Sequence, residues 1–135
     1  MLKNYLIIWW KHLRPFSLSV AIISSIFGGI LDWKQERFNY LIFFLVILSA
    51  ILLQAGTNLI NNFFEFKKEL SNNKNDCKLL KQAPLERNIF ISGLLCFAFF
   101  IPIWIYFIYI RGMIIFILGL IGLWGGYAYT GETFI

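Results

Sequence analysis

The chain has 135 residues, 59% of them hydrophobic and 14% charged, with a formal net charge of +5. A mean hydropathy of +0.72 and this low charge exclude an ordinary soluble domain, in which about a quarter of the residues are charged. The positive charge does not indicate nucleic-acid binding, because Lys and Arg stand in short polar segments between apolar runs, where they set membrane topology. The composition predicts an integral membrane protein.

Four membrane spans are predicted in chain order, after an apolar and aromatic segment at residues 5–10 that is expected to lie at the membrane interface. Each span is expected to be helical, because a backbone in lipid must satisfy its own hydrogen bonds. The fold class is therefore an all-α membrane bundle of four transmembrane helices. The predicted spans cover residues 16–31, 38–60, 89–109 and 112–130.

The connections between the spans differ in length and charge. Short turns are predicted at 32–37 and at Arg111-Gly112, and a long polar loop, either partly helical or mobile, at 64–87. The N-terminal segment and the long loop hold nine basic residues, namely Lys3, Lys11, Arg14, Lys67, Lys68, Lys74, Lys78, Lys81 and Arg87, whereas the other side holds Lys34, Arg37 and Arg111. The positive-inside rule then predicts that the N-terminus and the 64–87 loop are cytoplasmic, in a bacterial inner membrane.

A polar stripe follows the second span. On a helix, Asn58, Asn62, Glu65 and Glu69 fall within about 60° of one another. Amides and carboxylates at membrane depth generally face a partner or a polar cavity, and oxygen ligands suit Mg²⁺, especially when the ion also holds phosphate. The alternative is a helix end with solvated charges. The depth of Gln54 and Asn58 in the apolar run favours a site, because buried polar groups need partners.

Basic residues near this stripe have two interpretations. Arg14 precedes Pro15 at the start of the first span, so it either sets topology beside a first-turn proline or reaches a phosphate or carboxylate in the same cytoplasmic mouth. Lys67 and Lys68 either obey the positive-inside rule or help to hold an anionic leaving group.

Three segments resemble motifs of one family. Residues 14–20 read RPFSLSV, residues 56–68 read GTNLINNFFEFKK, and residues 126–131 read GYAYTG. They are similar to the "RPxTLxxS", "GTNLxNDYxDxxKG" and "GxxYTGGP" motifs of UbiA-type prenyltransferases, in the form typical of the branch that prenylates 1,4-dihydroxy-2-naphthoate in menaquinone biosynthesis. The small residues at Ser92-Gly93 resemble a further stretch near the third helix.

The resemblance implies the N-terminal half of a nine-helix fold embedded in the lipid bilayer. It implies Mg²⁺-dependent transfer of a polyprenyl group from polyprenyl diphosphate to an aromatic acceptor, here a dihydroxynaphthoate. By the same resemblance, the expected metal ligands are Asn62, Glu65 and Glu69. The residues expected to bind substrate are Arg14, Asn58, Asn61, Lys67 and Lys68.

Two departures from the family pattern leave alternatives open. Asn62 and Glu65 stand where the family has Asp, and the second acidic motif of the family does not occur within these 135 residues. One expectation is a truncated gene product that is inactive alone. The others are a half-enzyme completed by a separately encoded C-terminal half, a non-catalytic membrane module, and a small cation-binding or transport bundle.

Overall fold

A computed structural model describes the backbone of residues 2–134 and the side chains of residues 2–78, 80–125 and 128. Over this range the chain is helical without strands, which confirms the all-α fold class. The five helices are α1 (Leu2–Leu13), α2 (Pro15–Lys34), α3 (Tyr40–Asn72), α4 (Cys77–Arg111) and α5 (Met113–Phe134). Except for Ala128, the side chains of the GYAYTG segment lie outside the described residues.

Three segments are long and apolar enough to cross a membrane. They are Pro15–Lys34, Tyr40–Asn72 and Leu80–Arg111, and a shorter apolar segment covers Met113–Gly125. The chain is thus an integral membrane protein. Three of the four predicted spans overlap such segments, and the bounds of the spans and the count of four stay predictions.

Local sequence signals set several helix ends. Pro15 opens α2, as predicted, in the first turn where its missing N–H costs no hydrogen bond. Asn39 caps α3, since its side-chain oxygen accepts from the backbone N–H groups of Leu41 and Ile42 at 2.9 and 3.3 Å. Gly112 alone separates α4 from α5 with a φ of 79°, so the tight turn predicted there is confirmed.

The long loop predicted over 64–87 is mostly helical. Helix α3 continues to Asn72 and α4 begins at Cys77, which leaves only residues 73–76 between them. Glu and Lys residues fill the end of α3 and favour helix, and the Asp76 side chain caps α4 by accepting from the N–H of Lys78 at 2.9 Å. The polar stripe therefore lies on a continuous helix.

Helix α3 is central, since it contacts each of the other four helices. Its most extensive contact is with α4, where a methyl group added at Gly93 would lie 2.8 Å from the Ile60 side chain and 3.2 Å from the carbonyl oxygen of Gly56. Leu59 and Ile89 are fully buried at this interface. Small residues that bring backbones together are typical of membrane helix pairs, and this pair fixes the register of α3.

Candidate functional site

The polar stripe of α3 faces a break between α1 and α2. Arg14 separates these helices with φ 50° and ψ 73°, in the left-handed region. A non-glycine residue held there costs about 1–3 kcal/mol and persists where its surroundings fix it. The break also leaves carbonyl groups at the end of α1 without partners in their own helix.

Two amides of the stripe satisfy these carbonyls. The Asn62 Nδ2 donates to the carbonyl oxygen of His12 at 2.7 Å, and the Asn58 Nδ2 donates to that of Leu13 at 2.9 Å. Asn58 is buried and Asn62 half-buried. Leaving either carbonyl unpaired in such a place would cost about 1–3 kcal/mol. These two amides hold the residues that precede Arg14.

The contacts extend one turn further toward the apolar part of α3. The Gln54 Nε2 donates to the Ser17 hydroxyl of α2 at 2.6 Å and lies 3.5 Å from the Asn58 Oδ1. Gln54 and Asn58 were predicted to need partners, and α2 and the end of α1 provide them.

Toward the polar end of the stripe, Glu65 joins α3 to Arg14. Its Oε1 accepts from the Asn61 Nδ2 at 2.9 Å and lies 3.6 Å from an Arg14 guanidinium nitrogen. Asn61 is 1% exposed, whereas the Arg14 and Glu65 side chains are about half-exposed. An exposed ion pair of this kind adds little stability, so the Arg14 guanidinium remains accessible to an anionic ligand.

The remaining predicted site residues lie on the last turns of α3. Lys67, Lys68 and Glu69 are all exposed, and Glu69 follows Glu65 by one helical turn. We call Arg14, Glu65, Lys67, Lys68 and Glu69 the polar mouth. It combines three cationic and two anionic side chains at one end of the bundle.

The donor set of the polar mouth fits one mode of Mg²⁺ binding. No cluster of three or more His, Cys, Asp or Glu residues occurs among the described side chains, so a complete protein cage is not seen in that part. Two exposed carboxylates one turn apart are nevertheless the usual protein contribution to a Mg²⁺ that takes its other ligands from water and phosphate. The Asn62 Nδ2 donates to the His12 carbonyl, and its Oδ1 is the atom that suits a metal, because amides bind hard cations through oxygen.

A further polar cluster was not predicted from the sequence. The His12 Nε2 lies 3.2 Å from the Glu86 Oε1 of α4, and the His12 Nδ1 lies 2.7 Å from the carbonyl oxygen of Ile8. Glu86 is 6% exposed. Its Oε2 and the Trp9 Nε1 are buried without a hydrogen-bond partner among the described residues. His12 is the only histidine of the chain, but no periodicity relates positions 74 residues apart.

The chain is similar to known prenyltransferases. It is 24% identical over 127 residues to the 1,4-dihydroxy-2-naphthoate octaprenyltransferase of Bacillus subtilis, an alignment that covers 92% of this chain and 41% of that protein. It is 29% identical over 94 residues to the UbiA prenyltransferase domain-containing protein 1 homolog of Drosophila melanogaster, covering 67% of this chain and 25% of that protein.

A third relative matches a shorter region at higher identity. The 1,4-dihydroxy-2-naphthoate octaprenyltransferase of Escherichia coli is 38% identical over 55 residues, or 41% of this chain and 18% of that protein. No protein-family profile matches the chain, and no solved structure does. The chain thus spans about two fifths or less of the length of these three relatives.

Proposed function

We propose that this chain, a relative of the UbiA prenyltransferase family, takes part in transferring a polyprenyl group from its diphosphate to an aromatic acceptor. The named relatives include 1,4-dihydroxy-2-naphthoate octaprenyltransferases, so the acceptor proposed is a dihydroxynaphthoate in menaquinone biosynthesis. The observation that carries the proposal is the contact of Arg14 with Glu65, since it joins the first two segments that resemble family motifs.

The polar mouth has the charge to receive a diphosphate. The Arg14 guanidinium can offer two parallel N–H groups to phosphate oxygens, a geometry for which Arg is preferred. Lys67 and Lys68 would add positive charge from the exposed end of α3. In this proposal Asn58 and Asn61 assist substrate binding indirectly. Their Nδ2 groups donate to the carbonyl oxygen of Leu13 and to the carboxylate of Glu65, and so hold the groups around the mouth.

The metal proposed for the mouth is Mg²⁺, held by Glu65 and Glu69 with the Oδ1 of Asn62. A cation bound there would neutralise negative charge on the diphosphate leaving group. Arg14 would then exchange its contact with Glu65 for one with phosphate. The apolar helices beside the mouth would hold the polyprenyl chain away from water.

Orientation and completeness are also part of the proposal. The excess of Lys and Arg near the polar mouth supports a cytoplasmic position for it, in the inner membrane if the source is bacterial. The second acidic motif implied by the family would come from residues outside this sequence, whether of the same gene product or of a separately encoded C-terminal half. The dihydroxynaphthoate site would then lie between both parts.

A non-catalytic membrane module is the second candidate. It is favoured by one observation, namely that the amide groups of Asn58 and Asn62 both donate hydrogen bonds to carbonyl oxygens at the end of α1. In this alternative the stripe only holds helices together. A cation-transport bundle would use the same carboxylates but would need no diphosphate.

Binding of a prenyl diphosphate distinguishes these functions. The full chain in lipid nanodiscs is titrated calorimetrically with farnesyl thiodiphosphate, a poorly reactive analogue, with and without Mg²⁺. We expect Mg²⁺-dependent binding that weakens by about tenfold in Glu65→Gln and in Glu69→Gln, as when groups supporting a metal are removed. Asp32→Asn, an exposed carboxylate near the other end of α2, is the matched control and should bind like the unmodified chain.

Other outcomes contradict the proposal in different ways. Absence of Mg²⁺-dependent binding would favour the non-catalytic module. Cation flux through proteoliposomes without any diphosphate, lost in Glu65→Gln, would instead favour transport.

A further inference from the structure

Hydrogen bonds hold the backbone of the two residues before Arg14, namely His12 and Leu13. The carbonyl oxygens of His12 and Leu13 accept hydrogen bonds from α3 at 2.7 and 2.9 Å. Arg14 itself has a positive φ of 50°, a conformation that a non-glycine residue keeps only when neighbouring contacts determine it. The direction of the Arg14 side chain therefore depends on how firmly His12 and Leu13 are fixed.

The side chain of His12 is fixed from both ring nitrogens. Its Nδ1 lies 2.7 Å from the carbonyl oxygen of Ile8, and because a carbonyl oxygen only accepts, the Nδ1 carries the hydrogen. The Nε2 faces the Glu86 Oε1 at 3.2 Å. This contact needs one proton, carried either by Nε2 opposite a carboxylate or by a carboxylic acid opposite a neutral imidazole.

The carboxyl group of Glu86 contacts His12. Its Oε2 has no hydrogen-bond partner among the described residues, and His12 is the partner of its Oε1. Glu86 stands on α4, whereas Asn58 and Asn62 stand on α3. The residues that lead to Arg14 are thus anchored to two separate helices, and the anchor on α4 is a glutamate that is only 6% exposed.

We propose that Glu86 is a positioning residue for Arg14. The buried Glu86–His12 contact holds the end of α1 against α4, and this fixes the backbone from which the Arg14 guanidinium reaches the polar mouth. The nature of the anion that Arg14 receives rests on the proposed function. The positioning itself rests only on the contact of Glu86 with His12, the contact of Asn62 with the His12 carbonyl and the left-handed backbone of Arg14.

Two substitutions of Glu86 separate the contact from the charge. Glu86→Gln keeps the contact, because an amide N–H can donate to the Nε2 of a neutral His12. Glu86→Leu removes it and leaves a side chain of comparable size. Trp104→Phe is the matched control, since it removes a different interhelical hydrogen bond, the one from the Trp104 Nε1 to the Ile115 carbonyl oxygen at 3.2 Å.

The first readout is the affinity of the full chain for inorganic pyrophosphate with Mg²⁺, measured by calorimetry in nanodiscs. We expect Glu86→Leu to weaken binding by about tenfold, since small misplacements of a positioned group are costly. The affinities of Glu86→Gln and Trp104→Phe should stay within about threefold of that of the unmodified chain, because neither change removes the contact that positions Arg14. In an Arg14→Ala background Glu86→Leu should change nothing further, because the two residues act as one unit.

The second readout needs no ligand. Amide hydrogen exchange in peptides covering residues 10–18 should accelerate about tenfold or more in Glu86→Leu and not in Glu86→Gln, because loss of the anchor lets the junction open locally. Unchanged exchange in Glu86→Leu, or effects of Glu86→Leu and Arg14→Ala on binding that simply add, would overturn the inference. Accelerated exchange in a chain that binds no pyrophosphate would uphold the positioning and contradict the proposed function instead.

Discussion

Asn62 illustrates how one residue is matched to its partner. The family motif has Asp at this position, and here an amide donates to the carbonyl oxygen of His12 at 2.7 Å. A carboxylate has no hydrogen to donate and would place negative charge beside the partial negative charge of the carbonyl. The contact gives a physical reason for an amide at residue 62 in this chain.

Restoring the acid should therefore destabilise the protein. We expect Asn62→Asp to lower the free energy of unfolding by about 1–3 kcal/mol, the cost of a buried carbonyl left unpaired, with a corresponding fall in the melting temperature in detergent micelles. Glu69→Gln, on the exposed end of the same helix, is the control and should melt like the unmodified chain. An Asn62→Asp variant of equal stability with tighter Mg²⁺ binding would show instead that residue 62 serves the metal.

Sequence reasoning reached the site only in part. It placed Asn58 and Asn62 on one helical face and required partners for them, and the structure supplies those partners as backbone carbonyls of residues 12 and 13. That partnership depends on the break at Arg14. Pro15 signals a helix start there, but which side chains meet the carbonyls at the end of α1 is a property of tertiary packing. The His12–Glu86 contact was not predicted for a related reason, because it joins two helices across 74 residues.

Among the elements, α3 determines most of the architecture. Its apolar part was predictable from hydropathy, and its extension to Asn72 agrees with the helix propensity of its charged end. The predicted loop over 64–87 was too long, because two capped helices continue beyond the apolar spans and leave only residues 73–76 between them. Helix packing at Gly56 and Gly93 could be suspected from small residues, but their pairing could not.

The α3–α4 contact should be sensitive to a single methyl group. We expect Gly93→Ala to destabilise the protein by about 1–3 kcal/mol through overpacking, because its Cβ would meet Ile60 at 2.8 Å. Gly28→Ala is the matched control, since a Cβ there meets nothing within 4 Å, and it should be neutral or stabilising by up to about 1 kcal/mol. Melting temperatures in micelles provide the comparison. Equal effects of both substitutions would contradict the close packing described for Gly93.

At the scale of the whole molecule, the apolar surface and the polar mouth are separate regions with different roles. Many large apolar side chains are exposed along the helices, as expected where lipid covers them. Polar contacts concentrate where α1, α2, α3 and α4 meet, and they end in an exposed mouth with cations and carboxylates together. A diphosphate attached to an apolar chain matches this division, because its charged end would lie at the mouth and its hydrocarbon between helices and lipid.

Photoaffinity labelling tests this account most directly. A farnesyl diphosphate analogue with a photoreactive group on its first isoprene unit is irradiated with membranes that contain the chain, and the labelled peptides are identified by mass spectrometry. The account predicts labelling within residues 54–69 or at the start of α2 that requires Mg²⁺ and is suppressed by excess pyrophosphate. Labelling that is indifferent to both Mg²⁺ and pyrophosphate, or that falls only on the outer faces of α4 and α5, would contradict it.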